Sequence, residues 1–320
     1  MKQRALFVDD EPLVLSGLRR MLRSLRHDWE MSFANSGKEA LAMLEEGEFA
    51  VIISDMRMPE MDGATLLNEV AVRYPSMARL VLSGHAELEA ILRAVRPAHQ
   101  FLAKPCDPKV LERALKRILE VRRDERQNAI CNKLGAHRRL PSPKDKIAEL
   151  RNALGEPMVS LERVGDVVSG DIAMSLQVLR LVNAAFFGTP TKTLDPRRAV
   201  SVLGADMMKR LLDDVELFRS AESMQEDDEA AVIEVNRCVS ELMDDTETSG
   251  DACDNGINAK TLAMMLHTGA LAGIDTEDSL DDSGDLASGS VLLAYWGLDL
   301  EIADPTAEAW TPATQLEGVS

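Results

Sequence analysis

The sequence predicts two domains of different class. The first is a doubly wound α/β domain built on a five-stranded parallel sheet, and the second, after a linker, is an all-α helical domain. Three observations predict this. Residues 1–122 alternate short apolar runs with amphipathic stretches, acidic and other polar residues gather at the carboxyl ends of those runs, and beyond residue 144 only helical segments follow. A length of 320 residues also suits two domains at about 100–200 residues each. The division expected is an α/β domain over 1–122, a helical extension and linker over 123–144, and a helical domain over 145–320.

The expected strands are Ala5–Val8, Glu30–Phe33, Val51–Ile53, Arg79–Leu82 and Gln100–Ala103, each a brief apolar or alternating run. Between them lie Pro12–Leu25, Lys38–Glu45, Gly63–Arg73 and Leu88–Arg96, which carry apolar residues at helical spacing. Pro108–Val121 closes the series, with Val110, Leu111, Ala114, Leu115, Ile118 and Leu119 on one face. Five such β-α units imply parallel strands with helices on both faces, because right-handed crossovers place them there. The chain then turns polar from Arg122 to Lys146. From Ile147 to about Phe218 the helical segments are broken at Gly155-Glu156-Pro157, Gly170-Asp171, Gly188-Thr189-Pro190 and Gly204. Leu176, Val178, Leu179, Leu181 and Val182 make one helix apolar around much of its circumference, as suits a bundle centre.

Composition narrows the function classes. Hydrophobic residues make up 45% of the chain and aromatics 4%, the balance of a globular protein rich in aliphatic side chains. There is no apolar run long enough to span a bilayer and no basic start followed by an apolar signal stretch, so a cytoplasmic location without membrane attachment is expected. Cys106, Cys131, Cys238 and Cys253 show no C-x-x-C spacing, which speaks against a disulfide framework or a cysteine zinc site. Residues 1–140 hold 23 Lys+Arg against 20 Asp+Glu, whereas residues 221–320 hold only Arg237 and Lys260 against 23 acids. No basic recognition helix follows the linker, so nucleic-acid binding is not expected.

The polar residues at the strand ends carry the chemistry. The first strand runs into Asp9-Asp10-Glu11, the third into Asp55, the fourth into Ser83-Gly84 and the fifth into Lys104-Pro105. In a doubly wound sheet those ends converge on one crevice. Carboxylates a few ångströms apart repel unless a cation sits among them. Oxygen-only ligands in a hydrated site suit Mg²⁺. A lysine and a serine beside them supply the counter-ion and donor that a phosphoryl group needs. Taken alone, Asp55 could instead cap the helix that follows. Glu11 reads as a solvated neighbour, Asp62-Gly63 as a turn, and His85 as a surface histidine beside Ser83.

Four stretches, "VDDE" at 8–11, "DMRMPEMDG" at 55–63, "LSG" at 82–84 and "FLAKP" at 101–105, occur in order at the strand ends. With them, residues 1–122 resemble the CheY-like receiver domain of two-component response regulators, which has the flavodoxin-like fold. The resemblance implies that Asp55 accepts a phosphoryl group from a sensor histidine kinase. It implies that Asp10, Asp55 and the backbone carbonyl of Arg57 bind Mg²⁺, with Asp9 helping through water. Ser83 would bond the phosphoryl group, Lys104 would pair with it, and Phe101 would be the aromatic switch, without the hydroxyl of a tyrosine. The Lys104-Pro105 bond is expected to be cis.

"LPSPKDKIAELRNAL", "SLERVGDVVSGDIAMSLQVLRLVNAAFFG" and "RRAVSVLGADMMKRLL" look like the HDOD domain, an all-helical signalling module related to the metal-dependent HD phosphohydrolases. The likeness covers about 145–218 and weakens afterwards. An HD hydrolase needs several His and Asp side chains around one or two metals. After residue 140 there is a single histidine, His267, followed by Thr268 rather than Asp. No Gly-Tyr-Pro tripeptide occurs, and the His-Asp pair His27-Asp28 falls in the first domain. The expectation is therefore a non-enzymatic output domain acting on an unknown protein partner. The alternative is a divergent HD-type phosphohydrolase acting on a cyclic dinucleotide. The acidic stretches at 251–256 and 279–284 do not meet the EF-hand pattern, since Cys253, Leu262 and Ser290 stand where oxygen ligands are required. Phosphorylation is expected to act through the extended last helix of the receiver, and a homodimer through the receiver's last strands and helices is a further expectation.

Overall fold

The computed structural model describes residues 2–84, 88–120, 122, 141–184, 193 and 195–220. The α/β part runs β1 (Gln3–Val8), α1 (Pro12–Met21), β2 (Trp29–Ala34), α2 (Gly37–Glu45), β3 (Val51–Asp55), α3 (Gly63–Arg73), β4 (Ala78–Ser83), α4 (Leu88–Val95), β5 (Gln100–Ala103) and α5 (Pro108–Glu120). The five strands form one sheet in the order β2-β1-β3-β4-β5, and every pairing is parallel. All five expected strands and all five helices are present, with ends displaced by a few residues. Every residue of β3 and β4 is buried, because the central strands of a parallel sheet are covered on both faces.

The largest difference along this part lies at α1. One helix was expected over Pro12–Leu25, but the α-helix ends at Met21 and a 3-10 turn occupies Leu22–His27. The Leu22 N–H reaches the carbonyls of both Leu18 and Arg20, so the last turn tightens as helix ends commonly do. Leu22 and Leu25 remain buried, which explains why the apolar pattern ran on past the α-helix.

The helical part contains α6 (Lys144–Gly155), α7 (Leu161–Ser169), α8 (Ile172–Val182) and α9 (Pro196–Asp213). The breaks expected at Gly155, Gly170 and Gly204 are all observed. Ser160 and Asp171 cap α7 and α8 through the N–H groups of Arg163 and Met174. Gly204 lies inside α9 at φ 76°, a left-handed conformation that breaks the helix and that other residues adopt only at a cost. All eleven residues of α8 are buried, as its all-round apolar pattern requires. The break expected at Gly188 lies outside the described residues, as do His85, His267 and everything from 221 onward.

Two features depart from the sequence reading. The linker expected to extend to residue 144 is already part of the helical fold at its end. Ser142 is buried and donates from its hydroxyl to Asp171 Oδ1 at 2.7 Å. Pro141–Ser142 (β6) also pairs in parallel with Arg219–Ser220 (β7), a two-residue bridge that brings the ends of this segment together. The proline and serine content suggested a linker, whereas Ser142 finds its partner 29 residues away. Among the described residues no helix is long and apolar enough to cross a membrane.

The loop from β3 to α3 is fixed by two adjacent residues that the sequence suggested were simply a turn. Asp62 caps α3, its carboxylate accepting from the Thr65 N–H at 2.8 Å. Gly63 passes so close to the strand end that a β-carbon there would lie 2.0 Å from the Asp55 carbonyl oxygen. Gly63→Ala should therefore destabilise the protein by about 3 kcal/mol, since backbone has to move to admit the methyl group. Asp62→Ala should cost only about 1 kcal/mol, the value of a lost cap. Urea denaturation of both variants checks this, and equal costs would contradict the packing account.

Candidate functional site

The carboxyl ends of β1, β3, β4 and β5 place their following residues in one crevice. Asp9 comes directly after β1 and is 1% exposed, and Asp55 is the last residue of β3 and is 7% exposed. Ser83 ends β4 and is also buried. Lys104 follows β5, with its N–H bonded to the Ser83 carbonyl at 2.7 Å and a cis peptide joining it to Pro105. This register comes from the parallel pairing, which sets Asp55 beside Leu82 and Ser83 beside Ala103.

One cation organises the crevice. The Lys104 ammonium donates to Asp9 Oδ2 at 2.6 Å and also to Asp55 Oδ1. The other oxygen of each carboxylate is held by backbone. The Glu11 N–H donates to Asp9 Oδ1 at 3.0 Å, and the Arg57 N–H donates to Asp55 Oδ2 at 2.6 Å. Loss of hydration raises the Asp55 pKa above its usual value, against the opposing pull of Lys104 and the Arg57 N–H. Burial also pulls the Lys104 pKa down, but its bonds to Asp55 and Asp9 outweigh that and hold the ammonium charged. The result is a desolvated carboxylate oriented by backbone, with a cation within reach. Such a group can act as a nucleophile on an electrophilic, anionic centre.

Asp9 and Asp55 lie close enough to share one ammonium, so two carboxylates are available to a small hard cation. That number suits Mg²⁺, which takes one or two carboxylates and keeps several waters. Arg57 brings its backbone to the same place. Asp10 is half-exposed, and among the described residues no three His, Cys, Asp or Glu side chains converge as a metal cluster. The structure thus groups Asp9, Asp55, Ser83 and Lys104, with Arg57 joined through its peptide. Phe101 lies on β5 and is buried. Glu11 is exposed, as a solvated neighbour should be.

Several residues of the α/β part escaped the sequence reading. Gly63 touches the Asp55 carbonyl, and Asp62 pairs with Arg93 of α4 at 2.6 Å, so the loop after Asp55 is tied to the neighbouring helix. Arg79, at the opposite end of β4, is 1% exposed and donates to the carbonyls of Pro97, Pro75 and Met77. His99 stands against the Arg79 guanidinium, and burial drives its pKa well below the usual histidine value. A charged residue in an otherwise apolar strand was the one signal pointing to Arg79.

Residues 5–116 match the response regulator receiver domain and residues 140–238 match the HDOD domain. The sensor kinase CckA of Brucella abortus is 41% identical over 120 residues, which cover 36% of this chain and 12% of that protein. The transcriptional regulatory protein GlrR of Escherichia coli is 34% identical over 116 residues, covering 36% of this chain and 26% of that protein. The chain therefore spans only a minor part of these relatives. A solved receiver domain of an HD domain-containing protein from Pseudomonas fluorescens is 33% identical and covers 38% of this chain and 96% of that one, with a TM-score of 0.36. The chain thus carries a response regulator receiver domain over residues 5–116 and an HDOD domain over residues 140–238.

Proposed function

We propose that Asp55 is the phosphoacceptor of a Mg²⁺-dependent phosphorelay and that the HDOD domain is a non-catalytic output module. The donor would be a phosphohistidine on a sensor histidine kinase, and the output would act through contact with a second protein. The observation that carries this reading is the shared ammonium of Lys104 between Asp9 and Asp55. It marks a place where one carboxylate is nucleophile and its neighbours manage charge.

In the proposed transfer an Asp55 carboxylate oxygen attacks phosphorus. The P–N bond to the donor imidazole breaks as the P–O bond forms, and the departing ring nitrogen takes a proton from solvent. The Arg57 N–H fixes the carboxylate so that one oxygen faces the donor. Lys104 gives up its bond to Asp55 and pairs with an oxygen of the arriving group, and Ser83 supplies a hydroxyl donor. Mg²⁺, which Asp10, Asp55 and the Arg57 carbonyl would hold with Asp9 helping through water, would offset the negative charge gathered on the phosphoryl oxygens. The location that suits such a partner exchange is cytoplasmic, and the reading requires neither nucleic acid nor a membrane.

Wild type incubated with a small-molecule phosphodonor and Mg²⁺ should gain one phosphoryl group per chain by intact mass. Asp55→Asn should gain none, and a chelator should abolish the gain in wild type. Failure of wild type to take up phosphate from either a small donor or a phosphorylated kinase would refute the reading.

The raised pKa of Asp55 gives a second expectation. A carboxyl group whose folded pKa lies above its ordinary value contributes stability that is complete below about pH 3.8 and is lost as pH rises through the folded value. Asp55→Asn does not titrate, so in chelator its stability relative to wild type should improve as pH rises from 3 towards 7. Urea denaturation across that pH range reads it, and a difference that stays flat would contradict the burial argument.

A further inference from the structure

The β2 edge of the sheet carries a second surface with its own chemistry. β2 is the end strand, and among the described residues only β1 pairs with it. The Gln3 N–H donates to the Asp28 carbonyl at 3.3 Å, and the Asp9 N–H donates to the Ala34 carbonyl at 3.2 Å. In the parallel register of β1 and β2 these bonds turn the peptide groups of the even-numbered residues, Glu30 and Ser32 among them, towards β1. The N–H and C=O groups of Trp29, Met31 and Phe33 therefore point outward from the sheet. An edge of unpaired peptide groups is a template for one more strand.

The same three residues line a groove beside α1 and the 3-10 turn that follows it. The groove encloses about 470 Å³ along Trp29, Met31 and Phe33 and continues into about 250 Å³ at Ser16 and Asn35, with Arg19 and Phe33 lining both parts. Trp29 is buried, and its indole N–H has no acceptor. Met31 and Phe33 are half-buried. The rim is basic at both ends. The Arg19 guanidinium lies over the Phe33 ring, 4.5 Å from its centroid. Arg26 and Lys2 line the Trp29 end, where the Lys2 ammonium donates to the Arg26 carbonyl at 2.7 Å. Glu30 is the single acid of the lining, and it pairs with Arg4 at 3.4 Å. Arg19, Arg26 and Lys2 are exposed, and none has a carboxylate partner among the described residues.

We propose that this edge docks an extended acidic segment of a partner protein, which adds a strand beside β2. Main-chain bonds to Trp29, Met31 and Phe33 hold the segment, and the groove reads its alternate side chains. Trp29 and Phe33 are four residues apart, about 13 Å along a strand. A segment with acids four positions apart presents both on one face, one to Arg19 and the other to Arg26 and Lys2. The residue midway between them lies over Met31 and is apolar. A second copy of this chain fits poorly, because pairing β2 with β2 sets one group of cations against another. The docking needs no phosphoryl group at Asp55.

Fluorescence anisotropy of labelled peptides titrated with the full chain tests this. The probe is Thr-Glu-Thr-Val-Thr-Glu-Thr, whose glutamates stand four apart. One control replaces both glutamates by glutamine, and the other, Thr-Glu-Thr-Val-Glu-Thr-Thr, sets them three apart so that they face opposite ways. The probe should bind about tenfold more tightly than either control, and added salt should weaken it. Arg19→Gln combined with Arg26→Gln should remove that preference. Met31→Pro deletes the central outward N–H and keeps the bonds to β1, so it should weaken the probe by about tenfold. Equal binding of the probe and the three-apart control would reveal a diffuse attraction of charge and overturn the added strand. Binding by none of the peptides would leave the cations as guards of the edge and overturn the docking. Should circular dichroism show that Met31→Pro unfolds, the two controls and the arginine variant decide. Self-association of the chain that sedimentation finds lost in a folded Met31→Pro would give the edge to a second copy and overturn the proposal.

Discussion

The ammonium of Lys104 between two buried carboxylates is the interaction on which the rest of the site depends. Asp9 and Asp55 are removed from water by the sheet that carries them, and two like charges that close would not both remain ionised without a cation. Lys104 supplies that cation from the fifth strand, which reaches the other two only because the sheet is parallel and ordered β2-β1-β3-β4-β5. The fold and the site are therefore one constraint. A sheet with another strand order would bring these three side chains to different edges.

The same buried charge makes the site responsive. A group that is stable only beside a particular partner changes state when another anion competes for that partner. An arriving phosphoryl group is such an anion, and a divalent cation beside the carboxylates would take over part of the work that Lys104 does alone. Ser83 and Phe101 sit on the strands before and after α4, so the proposed rearrangement at Lys104 would meet backbone that is already packed. Packed elements tend to have discrete arrangements, which is what a two-state signal requires.

Much of this was legible in the sequence, for a local reason. Apolar runs of strand length and helical spacings record the environment of each segment, so all five β-α units appeared with small boundary errors. Asp9, Asp55, Ser83 and Lys104 were legible because polar residues directly after apolar runs mark strand ends, and strand ends in such sheets face one crevice. What was not legible depends on partners far apart in the chain. Ser142 read as linker because its partner, Asp171, lies in another helix. Gly63 read as a turn because its contact with the Asp55 carbonyl is a matter of backbone geometry. Arg180 went unmarked in the sequence, since the carbonyls to which it donates are 82 and 85 residues away. Periodicity says which face of a segment is buried and is silent on what buries it.

The most direct test of Asp55 as phosphoacceptor is to locate the covalent bond. After treatment with phosphodonor and Mg²⁺, borohydride reduction converts an aspartyl phosphate to homoserine, which peptide mapping can assign to a residue. Homoserine is expected at position 55, with aspartate retained at 9, 10 and 62. Homoserine at any of those positions, or a phosphorylated protein with Asp55 intact, would contradict a nucleophilic role for Asp55 in the Asp9–Lys104–Asp55 arrangement.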